Sequence, residues 1–228
     1  MKKQLLCGAA VGAVSLALGS PAMAQRTTVV AAVPFTWTGY YFGGHIGWTQ
    51  ARFSGTWFGD SGFTDYTHRP SSFSGGLIFG QNWQTNTFIY GWEVDLTFLG
   101  AKKSSIFSGG GSGDTLTTKL DLLSSLRGRL GMTITPATMV YVTGGLGYAH
   151  GKVDGVDGIT PIGATINAFG GVVGLGSEFA FDRNWIGRIE GLYYIFNDSK
   201  TLVGPSDAAT AKLSDVLTVR VGLVYRAP

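Results

Sequence analysis

The stretch Phe88-Ile89-Tyr90-Gly91-Trp92-Glu93-Val94-Asp95-Leu96-Thr97-Phe98-Leu99 decides how the chain is read. In an extended backbone alternate side chains point to opposite faces. One face then carries Phe88, Tyr90, Trp92, Val94, Leu96 and Phe98 without interruption. The other carries Ile89, Gly91, Glu93, Asp95, Thr97 and Leu99, with two carboxylates at its centre. A half-buried strand of a soluble sheet alternates as well. The direction of the acids separates the two cases. With the aromatic face against lipid, Glu93 and Asp95 lie inside the protein and require cationic partners.

Working outward, the same alternation recurs. A strand from Gly39 to about Phe53 sets Tyr40, Phe42, Ile46 and Trp48 against Gly43, His45, Gly47 and Thr49. Ser72 to Gln84 follows, with Phe73, Leu77, Phe79 and Trp83 on its apolar side. After the Phe88 strand, Thr118 to Thr133 places Leu120, Leu122, Leu126, Leu130 and Met132 opposite Asp121, Ser125, Arg127 and Arg129. Met139–His150, Thr165–Phe181, Trp185–Phe196 and Val216–Tyr225 complete the set. Short turns at 85–87, 135–137 and 182–184 alternate with stretches at 54–71, 100–117, 151–164 and 197–215 that read as long polar loops. Eight strands with long and short connections segregated in this way predict an all-β, eight-stranded antiparallel up-and-down transmembrane barrel.

The ends and the composition agree. Lys2 and Lys3, the apolar run Leu5–Leu18 and Ala22-Met23-Ala24 have the order of a secretory signal peptide cleaved between Ala24 and Gln25. The run is short of the roughly 20 apolar residues of a spanning helix. The domain expectation is therefore a signal peptide over 1–24, a periplasmic linker over 25–38 and the barrel over 39–228. Cys7, the only cysteine, falls in the signal segment, which excludes a disulfide framework and thiol chemistry from the mature chain. Charged residues make up 14% of the chain against the usual quarter or so, while glycine reaches 36. No basic patch calls for nucleic acid.

The inner faces collect four acids, Glu93, Asp95, Glu178 and Glu190, and four bases, Arg127, Arg129, Arg188 and Arg220. Register arithmetic around the turns sets Glu178 opposite Arg188, Glu190 close to Arg220, and Glu93 and Asp95 near Arg127 and Arg129. A hydrogen-bonded Arg–carboxylate pair is tolerable in a dry lumen where a lone charge is not. Glycines on the same face, Gly80 and Gly176 among them, leave room for long side chains. Tyr40, Trp48, Trp83, Phe88, Trp92, Tyr148 and Trp185 on the outer faces form an expected aromatic girdle.

Motifs that suggest catalysis do not assemble into a site. Gly59-Asp60-Ser61-Gly62 has the look of a protease nucleophile loop, but His45, His68 and His150 sit where none completes a triad. The glycine run at 108–114 occurs once, whereas calcium-binding nonapeptide repeats act in stacks. The sequence calls for no cofactor and no metal.

Trp37-Thr38-Gly39-Tyr40-Tyr41-Phe42-Gly43-Gly44-His45-Ile46-Gly47-Trp48 resembles the opening strand of the porin-like outer-membrane immunogenic proteins of Gram-negative bacteria, relatives of the opacity proteins. Residues 75–84, 125–131 and 141–148 are similar to their second, fourth and fifth strands. The resemblance implies an outer-membrane barrel with antigenic or adhesive surface loops and no enzyme activity. Its expected partners are outer-membrane lipids, the barrel-assembly machinery and host or surface ligands at the loops. Family members usually end in phenylalanine, whereas this chain reads Tyr225-Arg226-Ala227-Pro228. Three functions stay open on sequence: a structural barrel acting through its loops, a small porin, and a soluble lipocalin-like binder.

Overall fold

The computed structural model describes residues 35–59, 62–107, 114–157, 160–203 and 208–227. The expected signal segment, its Ala24/Gln25 cleavage point and most of the expected linker lie outside the described residues. The described backbone is nearly all strand: β1 (Gly39–Gly59), β2 (Gly62–His68), β3 (Ser71–Thr85), β4 (Phe88–Phe107), β5 (Asp114–Thr135), β6 (Thr138–Asp157), β7 (Thr160–Ala180), β8 (Trp185–Val203) and β9 (Ala208–Arg226). The strands pair antiparallel in the order β2-β1-β3-β4-β5-β6-β7-β8-β9, and a further β1–β9 pairing closes the ring. Closure matters because lipid offers no hydrogen bonds to an open edge.

β2 and β3 run along the same side of β1, with Phe53 opposite His68 and Gln50 opposite Ser71. They form one stave, broken at Arg69-Pro70, because proline has no N–H to give the ladder. The Ala51 N–H donates to the Pro70 carbonyl at 2.9 Å and holds the break against β1. Eight staves therefore enclose the lumen. Above the Ser74–Leu99 pair, the described residues of β2 share a backbone ladder with β1 alone and those of β4 with β5 alone, so the ladder has a seam there.

The short turns lie at the end taken here as the lower one. Asn86 adopts φ 56° in the β3–β4 turn, a left-handed conformation that asparagine tolerates better than most residues. Between β7 and β8 the Asp182 carboxylate accepts the N–H groups of Asn184 at 2.7 Å and Trp185 at 2.8 Å. These bonds hold its carboxyl below the usual range.

The stretches expected as long loops prove to be mostly strand. β4 continues to Phe107, β6 to Asp157 and β8 to Val203, and each return strand begins close by. Glycine, serine, threonine and lysine suit the outer face of a strand in water as well as they suit a loop. The alternate positions carry the signal: Ala51, Phe53, Ala101, Leu116, Leu120, Val153, Ile166, Ala168, Ala211 and Leu213 are buried together inside the upper barrel. Outside them stand Lys102, Asp121, Lys152, Asp154 and Thr165, all exposed.

The barrel thus inverts its polarity along its axis. Lower down, Leu126, Leu146, Val173, Ile189 and Val219 are exposed outward, while the charges are buried within. Bulges mark the change of level. The register shifts between Phe98 and Ala101, between Leu120 and Leu122, between Ile195 and Asp198, and beside Phe53. A single inserted residue swaps the two faces of every residue beyond it. This corrects two assignments on β5. Leu120, expected on the outer face, is buried in the upper core, and Asp121, expected inside, is exposed.

The start of the chain's described part is no free tether. Trp37, expected in the linker, is 1% exposed and packs with Tyr41, Ile78, Ile89, Met139, Tyr141, Ala180, Ile186 and Val224 in the lower mouth, with Phe35 against them. Gly39, at φ 140°, lets the chain swing from β1 into the mouth, and a Cβ there would meet the Ala227 carbonyl oxygen at 2.9 Å.

Leu126 pairs with Val94 and Leu146 at the middle of the apolar band. An arginine at Leu126 is therefore expected to destabilise the lipid-folded barrel by about 2–4 kcal/mol, whereas Thr67→Arg on exposed β2 leaves it unchanged. Urea unfolding from lipid vesicles measures both, and equal effects would overturn the depth assigned here.

Candidate functional site

The middle of the lumen is a charge network, and its residues arrive there by register. β4 sets Glu93 directly opposite Arg127 of β5, β7 sets Glu178 opposite Arg188 of β8, and Glu190 of β8 faces Arg220 of β9. Each belongs to the inner face of its strand, so closing the ring turns all eight charges onto one another.

Glu93 is the hub. Arg127 bonds to its Oε1, Arg188 Nη1 lies 2.6 Å from its Oε2, and Arg129 and Arg220 approach at 3.5 and 3.6 Å. Around it, Arg129 Nη2 reaches Glu178 at 2.6 Å and Arg188 Nη2 reaches the same oxygen at 2.5 Å. Arg127 spans to Glu190 at 3.0 Å and to Asp95 at 3.2 Å, and Arg220 holds Asp95 at 3.0 Å and Glu190 at 2.6 Å. Four carboxylates and four guanidiniums thus balance in one body of charge. No side chain among the eight exceeds 2% exposure, so the network is all but closed to solvent.

Adjacent-strand pairs are legible from register, but several of these bonds cross the lumen. Arg129 lies 3.5 Å from Glu93, as the register implies, and makes a shorter contact of 2.6 Å with Glu178 on β7. The curvature of a small ring brings non-neighbouring strands within reach of an arginine.

Neutral groups complete the network, and the expected site residues do not include them. Tyr41 Oη donates to Glu93 at 2.8 Å and accepts from Arg129 at 2.7 Å, and Tyr141 Oη donates to Glu190 at 2.9 Å. The Arg129 guanidinium also lies 3.9 Å from the centre of the Tyr141 ring. The Ser125 hydroxyl donates to Asp95, and Thr97 links Asp95 to His45. The tyrosines carry the parity of an inner face, which was the signal available for them. Gly80 and Gly176 make their places: a Cβ at either would come within 2.5 Å of a tyrosine ring.

On the outer surface, Tyr40, Trp83, Phe88 and Trp185 ring the lower end, where Trp83 stacks on Tyr90 and Trp185 meets Tyr225 edge-on. Trp48 and Tyr148 stand at the upper end, joined by Phe73 and Phe169, which sit directly opposite them. Trp92 is corrected: it lies within the apolar band above Phe88, where Gly128 opposite leaves space for the indole and Phe79 packs against it. Of the histidines, His45 joins the network, His68 is buried beside Thr118, and His150 bonds Asn167 on the outer face. Asp60 and Ser61 of the protease-like motif lie outside the described residues.

Removing one partner of a buried ion pair costs about 3–5 kcal/mol because the other is stranded. Arg127→Met, which deprives Glu93, Asp95 and Glu190 together, is expected to lower the stability of the detergent-folded barrel by at least that range. Guanidinium unfolding followed by tryptophan fluorescence measures it, and an unchanged midpoint would show that water reaches these acids.

Residues 10–226 match the family model described as the outer membrane protein beta-barrel domain. The chain is 30% identical over 248 residues to the 31 kDa outer-membrane immunogenic protein of Brucella melitensis, covering 99% of this chain and 100% of that protein. It is 30% identical over 202 residues to the 25 kDa outer-membrane immunogenic protein of Brucella canis, covering 87% and 83%. Among solved structures, the outer membrane protein OprG from Pseudomonas aeruginosa superposes with a TM-score of 0.54 at 13% identity, covering 86% of this chain and 100% of that one, a likeness of fold. A closed barrel with an apolar outer band, matched along almost its whole length by such relatives, belongs to the outer-membrane protein β-barrel family and resides in the outer membrane of a Gram-negative cell.

Proposed function

We propose that this protein is a non-conducting, non-enzymatic barrel that acts at the cell surface through its upper hairpins. The observation that carries the reading is the filled lumen. Three layers occupy it in succession: the apolar upper core, the balanced charge network and the aromatic lower plug around Trp37. Ion passage requires water along the whole path. Catalysis requires a poised group, and each lumen carboxylate is held by at least two arginines. The upper hairpins, by contrast, stand clear of the apolar band on a rigid scaffold, which is where binding residues concentrate. Phe63 near the first hairpin's tip is 79% exposed. Relatives bearing the name immunogenic support a surface role.

Two measurements test this reading. The purified mature protein in a planar bilayer is expected to give no steady conductance. A steady conductance that changes with Glu93→Gln or Arg129→Gln would establish the small-porin alternative instead. Trimming residues 56–65, the tip of the first hairpin, is expected to reduce antibody recognition or adhesion of whole cells while the barrel still folds. Surface properties that survive trimming of all four hairpin tips would place the function elsewhere.

A further inference from the structure

The register aligns three lysines that the charge network does not use. Just above the bulges, Lys102 of β4 lies directly opposite Lys119 of β5, which lies directly opposite Lys152 of β6. Their strand neighbours Ala101, Leu120, Gly151 and Val153 are buried inside, so the three ammonium groups share the outer face. Like charges directly opposite on neighbouring strands are destabilising. One of the three is neutralised: Lys119 Nζ lies 2.8 Å from Asp154 Oδ2. Lys102 and Lys152 have no ion-pair partner among the described residues.

The level of this row identifies what could neutralise it. The apolar band ends immediately below, at Phe98, Leu122 and Tyr148 on the same three strands and at Phe169 on the neighbouring β7. On β6 and β7 one polar step lies between the band and the level of the lysines. There His150 pairs with Asn167 across β6 and β7, and the Asn167 amide oxygen accepts from Tyr148 Oη at 3.0 Å and lies 2.8 Å from His150 Nδ1. A membrane presents its layers in the same order: acyl chains, a polar interface, then charged headgroups. The occupant is fixed by that continuity, since whatever meets the lysines must be attached to what covers the band.

We infer that the Lys102–Lys119–Lys152 row, with Tyr148, His150 and Asn167 beneath it, is a binding site for the phosphate groups of outer-leaflet lipids. The site fixes one side of the barrel against anionic headgroups. It also relieves the like-charge row that folding creates.

The test uses the folded mature protein in neutral detergent, with phosphatidic acid as the phosphate-bearing probe and phosphatidylcholine as its zwitterionic control. Lipid retention is read by native mass spectrometry and by the shift in unfolding temperature. Each lysine near an anionic surface is worth about fivefold in affinity at low salt, so K102Q/K152Q is expected to weaken phosphatidic acid binding about 25-fold. The difference should shrink as salt is raised. Thr165 continues the row on β7, opposite Lys152, and Thr165→Lys is expected to tighten binding about fivefold. This second variant keeps the test decisive if the double variant folds poorly. Arg183→Gln, in a lower turn, should bind as the wild type does. Unaltered binding by both row variants would overturn the inference, as would equal protection by inorganic phosphate, which lacks the acyl chains.

Discussion

The bond between Glu93 and the four arginines around it sets the terms for the rest of the barrel. An eight-stranded ring encloses a space that side chains can fill. Charge placed there must be neutralised within the ring or not placed at all. Because Glu93 meets partners from β5, β8 and β9, it ties together strands that have no ladder in common with β4, save for β5. A one-residue slip of β4 would turn Glu93 and Asp95 toward lipid and Leu96 into the lumen. The network therefore acts on register as much as on stability, and replacing such pairs by apolar residues of equal volume can leave a fold as stable but less specified.

The second organising feature is the reversal of polarity along the axis. In the band the barrel is apolar outside and charged inside. Above it, the arrangement is that of a water-soluble barrel, with lysines and threonines outside and leucine, valine and alanine within. Bulges at Asp121 of β5 and near Asp215 of β9 accommodate the change, since they alter which residues face inward without breaking the ladder. Charged residues can then follow apolar ones in sequence without either being stranded in the wrong solvent.

Much of this was legible in the sequence, and the reasons are specific. Strand number, the outer band and the pair Glu178–Arg188 follow from alternation and from counting around a short turn, both local operations, and the same count carried across 197–215 brings Glu190 to Arg220. Four things escaped. Leu120 and Asp121 were exchanged because a bulge leaves no composition signature of its own. The hairpin extensions read as loops because glycine, serine and threonine serve both, and only the alternate inward positions distinguish them. Cross-lumen contacts such as Arg129 with Glu178, and the tyrosines that bridge them, depend on the curvature of a closed ring, which no strand carries alone. Trp37 escaped for a related reason, since a single aromatic before the first strand has no period to betray its place.

That tryptophan has a consequence for assembly. It lies inside the ring formed when β1 meets β9, while the backbone that carries it enters from the rim at Gly39. The socket that receives it is built from both sides of that junction, Tyr41 of β1 and Val224 of β9, together with Met139 and Ile186 from strands between. Closing the last ladder therefore completes the seat of the stopper, and a barrel open at that junction would hold its plug by one side only.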